Sequence, residues 1–287
     1  MKLLLLGNTG QLGWELLRTL QPLGVVSSLD YPEINLADSA SIRTIVQECH
    51  PDVIVNATAY TAVDKAESEP ELAEAINGTG PGLLAEEARK LKAVLIHYST
   101  DYVFDGTKGA LYREIDLPNP VNVYGKSKLA GEQAIQSVGG SYLIFRTAWV
   151  YSLRRESFVS KVLGWSRKNE ILQVVDDQVS NPTWARMLAE VTAQALTRGD
   201  GYLRERTGLY HLAGGGHASR YAWAQEILRL DPARQEQKVK QLLPVQSSDF
   251  PTPAQRPLFT ALECHKFEQI FNLHLPAWNA ALELAFT

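Results

Sequence analysis

In the run from Asn122 to Lys128, reading Asn-Val-Tyr-Gly-Lys-Ser-Lys, a tyrosine and a lysine stand four positions apart. If that run opens a helix which Leu129 to Ala134 continue, Tyr124 and Lys128 share one face, a turn apart, and can act on the same atom. A phenol with a pKa of about 10 is a poor acid at neutral pH. An ammonium within a few ångströms stabilises the phenolate, and the tyrosine becomes a usable proton donor and acceptor. A third candidate is Thr100, just past the apolar run Ala93 to His97 that reads as a strand. A hydroxyl at the carboxyl end of a strand in a parallel sheet points into the ligand crevice, so Thr100 is expected to bond a substrate carbonyl oxygen beside Tyr124.

Such a trio needs a scaffold, and the amino-terminal third supplies one. Lys2 to Leu6 reads as a buried parallel strand that runs into Gly7-Asn-Thr-Gly10-Gln11-Leu12-Gly13, with a helix following through Leu20. Strand, glycine turn and helix N-terminus together make an anion site suited to a diphosphate, here spaced G-x-x-G-x-x-G. The next strand, Val25 to Leu29, ends at Asp30, 17 residues beyond Gly13, near where a carboxylate takes the adenosine ribose hydroxyls. The first basic residue after Asp30 is Arg43, so no cation is placed for a 2′-phosphate; NADH should be usable and NADPH stays open. A helix over Ser39 to Cys49 and a strand over Val53 to Val55 follow. Asn56-Ala57-Thr58-Ala59 then leaves the strand end with small side chains that let a dinucleotide lie close to the backbone. Glu71 to Lys90 reads as a long amphipathic helix that Gly78, Gly80, Pro81 and Gly82 bend or split.

Composition narrows the class. The chain has 287 residues, enough for one large or two unequal domains, with hydrophobic and charged fractions of 45% and 21% that suit a globular protein. A net charge of −4 argues against a broad nucleic-acid surface. Cys49 and Cys264 fit no disulfide framework or zinc motif and suggest a reducing compartment. No stretch reads as a signal peptide or a membrane span, and the expected location is the cytoplasm. The six histidines lack ligand spacing, and no metal is expected.

Gly7, Gly10, Gly13, Asp30, Thr100, Tyr124 and Lys128 together resemble the extended short-chain dehydrogenase/reductase superfamily. Within it, the runs Ala59 to Glu67, Ser99 to Gly106, Asn122 to Glu132 and Pro251 to Pro257 resemble the dTDP-4-dehydrorhamnose reductase family over nearly the whole chain. The resemblance implies NADH- or NADPH-dependent reduction of a 4-keto nucleotide sugar, without metal. By motif, it implies that Gly10, Gln11 and Leu12 touch the cofactor diphosphate and Asp30 the adenosine ribose. Asn35 and Leu36 would lie near the adenine, although the family usually has Asp where Asn35 stands. Ala59, Tyr60, Thr61 and Tyr98 would line the nicotinamide half, and Thr100, Asp101 and Trp149 would meet the sugar nucleotide. Arg256 would lie near the nucleotide, where it reaches an acidic part of the substrate or forms a structural ion pair. Glu15 matches a position that some members use in a magnesium-bridged dimer, but its partner acids are not evident. Ser180 replaces a glycine usual in the family, which a negative backbone φ would permit.

The second half should hold a strand over Tyr142 to Phe145, a helix over Phe158 to Lys168 and a strand over Leu172 to Val175. A helix over Met187 to Leu196, a strand over Leu209 to Leu212 and a helix over Tyr221 to Leu230 should follow. The expected fold is α/β: a Rossmann-type, doubly wound parallel sheet over residues 1–150, with a smaller mixed α/β substrate-binding lobe over 151–287. Residues 172–198 are expected to return to the first domain. Partners are expected to be a small nucleotide-sugar substrate, with neither nucleic acid nor membrane, in a monomer or homodimer. Two alternatives carry weight: a non-catalytic cofactor-binding regulatory subunit resembling a methionine adenosyltransferase partner, and a nucleotide-sugar epimerase or dehydratase. The intact Thr100, Tyr124 and Lys128 favour an enzyme over the former, and Tyr102, where dehydratases carry Glu, disfavours the latter.

Overall fold

Leu3 to Leu6 are all buried, and their alternation shows why the first strand carries no polar face. Leu3 and Leu5 join one apolar cluster, Leu4 and Leu6 another, on opposite sides of the same sheet. The computed structural model, which describes residues 1–287, repeats this pattern along the sheet. Val53 and Val55 face the first cluster and Ile54 the second; Leu143 and Phe145 face the first and Ile144 the second.

The elements run β1 (Lys2–Leu6), α1 (Gln11–Leu20), β2 (Val25–Leu29), α2 (Ser39–Cys49), β3 (Val53–Asn56), α3 (Gly80–Leu91), β4 (Val94–Thr100), α4 (Val123–Val138) and β5 (Ser141–Thr147). Then come α5 (Phe158–Ser166), β6 (Ile171–Val175), α6 (Ala185–Leu196), β7 (Gly208–His211), α7 (Arg220–Leu230), β8 (Gln241–Val245), α8 (His265–Phe271) and α9 (Trp278–Phe286). Six strands form one parallel sheet in the order β7-β5-β4-β3-β1-β2. The winding reverses between β1 and β3, and ligands of such sheets bind at the carboxyl ends of the strands there. The fold is a Rossmann-type α/β fold.

The expected long helix is present as Pro70–Glu74, a π turn at Ala75–Thr79 and α3. A wider turn absorbs Pro81, which has no N–H to donate. At Gly80 a Cβ would lie 2.7 Å from the carbonyl oxygen of Leu36, so glycine is what lets this helix approach the adjoining loop.

The second half crosses between lobes more often than its sequence suggested. β6 does not return to the main sheet; it pairs in parallel with β8 and carries Leu172 and Val174 into the core of the smaller lobe. α6 does return, packing on α1 with Leu188, Ala189 and Leu196 in the first cluster. β7, assigned by its position to the substrate lobe, is the edge strand beside β5, and Phe267 and Phe271 of α8 also fill the first cluster. The smaller lobe consists of α5, β6, α7, β8 and α9 around Tyr151, Val162, Trp223 and Ile227. No helix is long and apolar enough to cross a membrane.

Candidate active site

The carboxyl ends of β1, β3, β4 and β5 open into a cleft of about 790 Å³ lined by Gly7, Ala57, Thr100, Tyr124, Lys128 and Trp149, among others. At its floor Gly7 has φ +86°, and a Cβ on Gly13 would stand 1.9 Å from the Gly7 carbonyl oxygen. Gly13 therefore supports the turn by close packing and does not line the cleft. Gly10 caps α1 without any side-chain bond, which leaves the first helical N–H groups facing the cleft. Gln11 contributes a buried Oε1 with no partner. An open cradle and free N–H groups fit a dinucleotide diphosphate.

Asp30 lies on the rim, where its Oδ2 accepts from the Thr9 hydroxyl at 2.5 Å and the Thr9 N–H at 3.0 Å. It thereby ties the end of β2 to the glycine turn. Asn35, Leu36, Ala59, Thr61 and Tyr98 also line the cleft. Tyr60 does not: its hydroxyl donates to Glu69 at 2.6 Å, and Asn77 brackets its backbone. Glu15 is buried where α1 faces α6, with Arg186 and Glu190 nearby.

Helix α4 presents the central pair. Asn122 caps it, accepting from the Gly125 N–H at 2.8 Å, while its amide donates to the carbonyl of Gln255 at 2.8 Å. Gly125 and Gly131 let the helix lie close to its neighbours: a Cβ would come within 2.2 Å of the Tyr102 carbonyl oxygen and 2.1 Å of that of Asn77. One turn past Lys128, Glu132 makes a two-point ion pair with Arg146 of β5, at 2.9 and 2.6 Å, and accepts from Ser99 at 2.5 Å. All three side chains are buried, so α4 is fastened to the sheet by a desolvated network.

Burial dominates the titration of this group. It raises the Tyr124 phenol above the ordinary tyrosine value, against a hydrogen bond from Thr100 and with the nearby Asp101 adding to the rise. It brings Lys128 down to about 8. The phenol is thus raised, where a lowering by the Lys128 ammonium was expected, and Tyr124 is held protonated. Asp101, also raised by burial, is met by the hydroxyls of Thr260 at 2.5 Å, Ser180 at 2.8 Å and Thr100 at 3.1 Å. Ser180 is fully buried and has no positive φ, which is how a serine fits where a glycine was expected.

A second cleft, of about 940 Å³, continues from the first and shares Gln11, Thr61, Trp149 and Val150 with it. Trp149 takes φ +41°, unusual for a bulky residue, and stacks on Trp223 with ring centroids 5.6 Å apart. The Arg220 guanidinium lies 3.6 Å from the Trp149 ring. Burial lowers it to about 10, with Tyr102 and Asp101 opposing, and no carboxylate stands within ion-pair distance. Arg256 lines the same cleft but is paired with Asp64 at 2.9 and 2.7 Å. Sequence reasoning missed Arg220. Its only sequence signal is a cation at the start of an aromatic-rich helix, which does not reveal the stack.

The profile of the RmlD substrate binding domain matches residues 1–287. A Burkholderia thailandensis protein named dTDP-4-dehydrorhamnose reductase is 41% identical, covering 99% of this chain and 97% of its own. A Salmonella typhimurium protein of the same name is 42% identical, covering 100% and 97%. The crystal structure of the Bacillus anthracis dTDP-4-dehydrorhamnose reductase in complex with NADP superimposes with a TM-score of 0.90 at 32% identity, covering 100% of this chain and 99% of that one.

Proposed function

The chain belongs to the RmlD substrate binding domain family, and from that premise we propose that it is an NAD(P)H-dependent oxidoreductase reducing the 4-keto group of dTDP-4-dehydro-L-rhamnose to dTDP-L-rhamnose. The product serves as an activated sugar for rhamnose-containing surface polysaccharide. The observation that carries this reading is the continuity of the two clefts, with Tyr124, Lys128 and Thr100 in the one and a stacked, unpaired Arg220 in the other.

Gly7, Gly10, Gln11 and Leu12 would hold the cofactor diphosphate, Asp30 the adenosine ribose, and Asn35 and Leu36 the adenine end. Ala57, Ala59, Thr61 and Tyr98 would enclose the nicotinamide end. When bound, the reduced nicotinamide supplies the hydride that C4 receives. Negative charge then develops on the former carbonyl oxygen and must be met by a donor. Tyr124, kept protonated by burial, gives its proton to that oxygen. Thr100, bonded to Asp101 and lining the same cleft as Tyr124, fixes the direction in which the oxygen lies. Asp101 and Trp149 border the sugar, and Arg220 offers the positive charge that a nucleoside diphosphate needs. Arg256 holds the Pro251 to Pro257 segment to Asp64 and lines the second cleft, where it would border the nucleotide. Unpaired Cys49 and Cys264 suit a reducing cytoplasm.

The test is oxidation of NADH and of NADPH by the pure protein, with the keto sugar generated in the same tube by the enzymes that precede it. Tyr124→Phe should lower kcat by about 10²- to 10⁴-fold while still binding cofactor. A wild-type protein that binds cofactor yet turns over neither would sink the reading.

A further inference from the structure

Lys128 Nζ lies between two groups of β4, donating to the carbonyl oxygen of Tyr98 at 2.7 Å and meeting Nε2 of His97 at 3.2 Å. Lys128 is 1% exposed and His97 0%, so water takes no part in either contact. The other ring nitrogen, Nδ1, lies 3.0 Å from the side-chain amide nitrogen of Asn56. That amide has only one satisfactory orientation. Its Oδ1 accepts the Thr58 backbone N–H at 3.1 Å and the Thr58 hydroxyl at 2.5 Å, and a backbone N–H can only donate. The amide N–H therefore donates to Nδ1, and the proton of the neutral imidazole must sit on Nε2. An Nε2–H aimed at Lys128 finds a lone pair if the lysine is a free amine and an opposing N–H if it is an ammonium. Only the free amine satisfies both contacts.

We propose that Asn56 and His97 are positioning residues for the reduction: Asn56 fixes the His97 tautomer, and the resulting Nε2–H stabilises the free amine of Lys128 over its ammonium, so that the ammonium gives up its proton to the cleft the more readily. Neither side chain lines the cleft, so both act through Lys128. The charges facing Lys128 do not override this arrangement. Glu132, on the same helix, favours the ammonium, but Arg146 of β5 already neutralises it, and burial keeps His97 uncharged. In the step itself the Lys128 ammonium loses one Nζ–H, and that proton restores the Tyr124 phenolate that remains after the phenol has protonated the substrate oxygen. Nζ retains the electron pair and accepts the Nε2–H of His97. The kinetic consequence rests on the reductase reading; the tautomer does not.

Nitrogen-15 NMR of the ligand-free protein reads the His97 tautomer, and side-chain NMR of labelled lysine reads the Lys128 titration. Wild-type His97 should carry its proton on Nε2. Asn56→Asp places an acceptor against Nδ1, so it should switch the tautomer and raise the Lys128 midpoint by about one pH unit or more. The alkaline limb of kcat should rise with it, which a purely structural defect would not cause. In a His97→Leu background the same substitution should move Lys128 far less, separating the tautomer from the through-space effect of the new charge. A wild-type proton on Nδ1, or equal shifts in both backgrounds, would overturn the proposal. Both NMR readings need no substrate, so absence of turnover would count against the reductase reading alone.

Discussion

At the scale of single residues, the chemistry divides into groups that announce themselves and groups that only neighbours reveal. That Tyr124, Lys128 and Thr100 meet in one cleft was legible because residue type and spacing on a helix and a strand end define what they can reach. The state of their protons was not legible, because it follows from burial by β4 and the segment after it, and that depends on the whole fold. Arg220 was hidden for the same reason: its partners Trp149 and Trp223 lie on two different elements, and the stack exists only after folding. Replacing Arg220 by Met keeps much of the stem packed on the rings and removes the charge. It should raise KM for the nucleotide sugar by about 10- to 100-fold, the worth of a hydrogen-bonded charge contact, with a smaller change in kcat. Steady-state kinetics with the sugar varied at saturating cofactor decide the matter, and an unchanged KM would remove Arg220 from the substrate site.

Elements were read well where a local signal marks them and poorly where partner choice matters. The start of α4 was evident in Asn122 and its helix-forming sequel, and the cap is there. The destination of Ile171–Val175 was not evident, since a short apolar run looks the same whichever strand it pairs with. Nor does a sequence show that α4 owes its seat to a buried ion pair. Arg146→Met would leave the Glu132 carboxylate desolvated beside Ser99 without its ion-pair partner. Breaking such a pair costs about 3–5 kcal/mol. Urea unfolding at pH 7 should show a loss of that order, and a loss below about 1 kcal/mol would mean that the network contributes little to stability.

For the molecule as a whole, two uncharged buried histidines set the response to acid. His97 lies well below the ordinary imidazole value and His211 falls to about 3, both chiefly through burial. The unfolded chain binds these protons near pH 6.5 and the folded chain does not, so stability is greatest above that pH and declines as pH falls. His211 should remove about 1.4 kcal/mol per pH unit between pH 6 and 4 and His97 adds in the same direction, partly offset by Asp101, whose raised value works the other way. Urea midpoints that stay flat from pH 7 to 5 would contradict this. The broad architecture was legible because the amino-terminal half is built from local alternations of strand, turn and helix. The interleaving of the second half was not, because it is decided by contacts across the whole chain. One result of that interleaving concerns synthesis. Leu3 and Leu5 share a core with Phe267, Phe271 and Leu275, so the surroundings of β1 are complete only after α8, far along the chain, has been made. The part of that face covered by α8 therefore stays open while the intervening residues are made, and until it closes it is a surface that chaperones can bind.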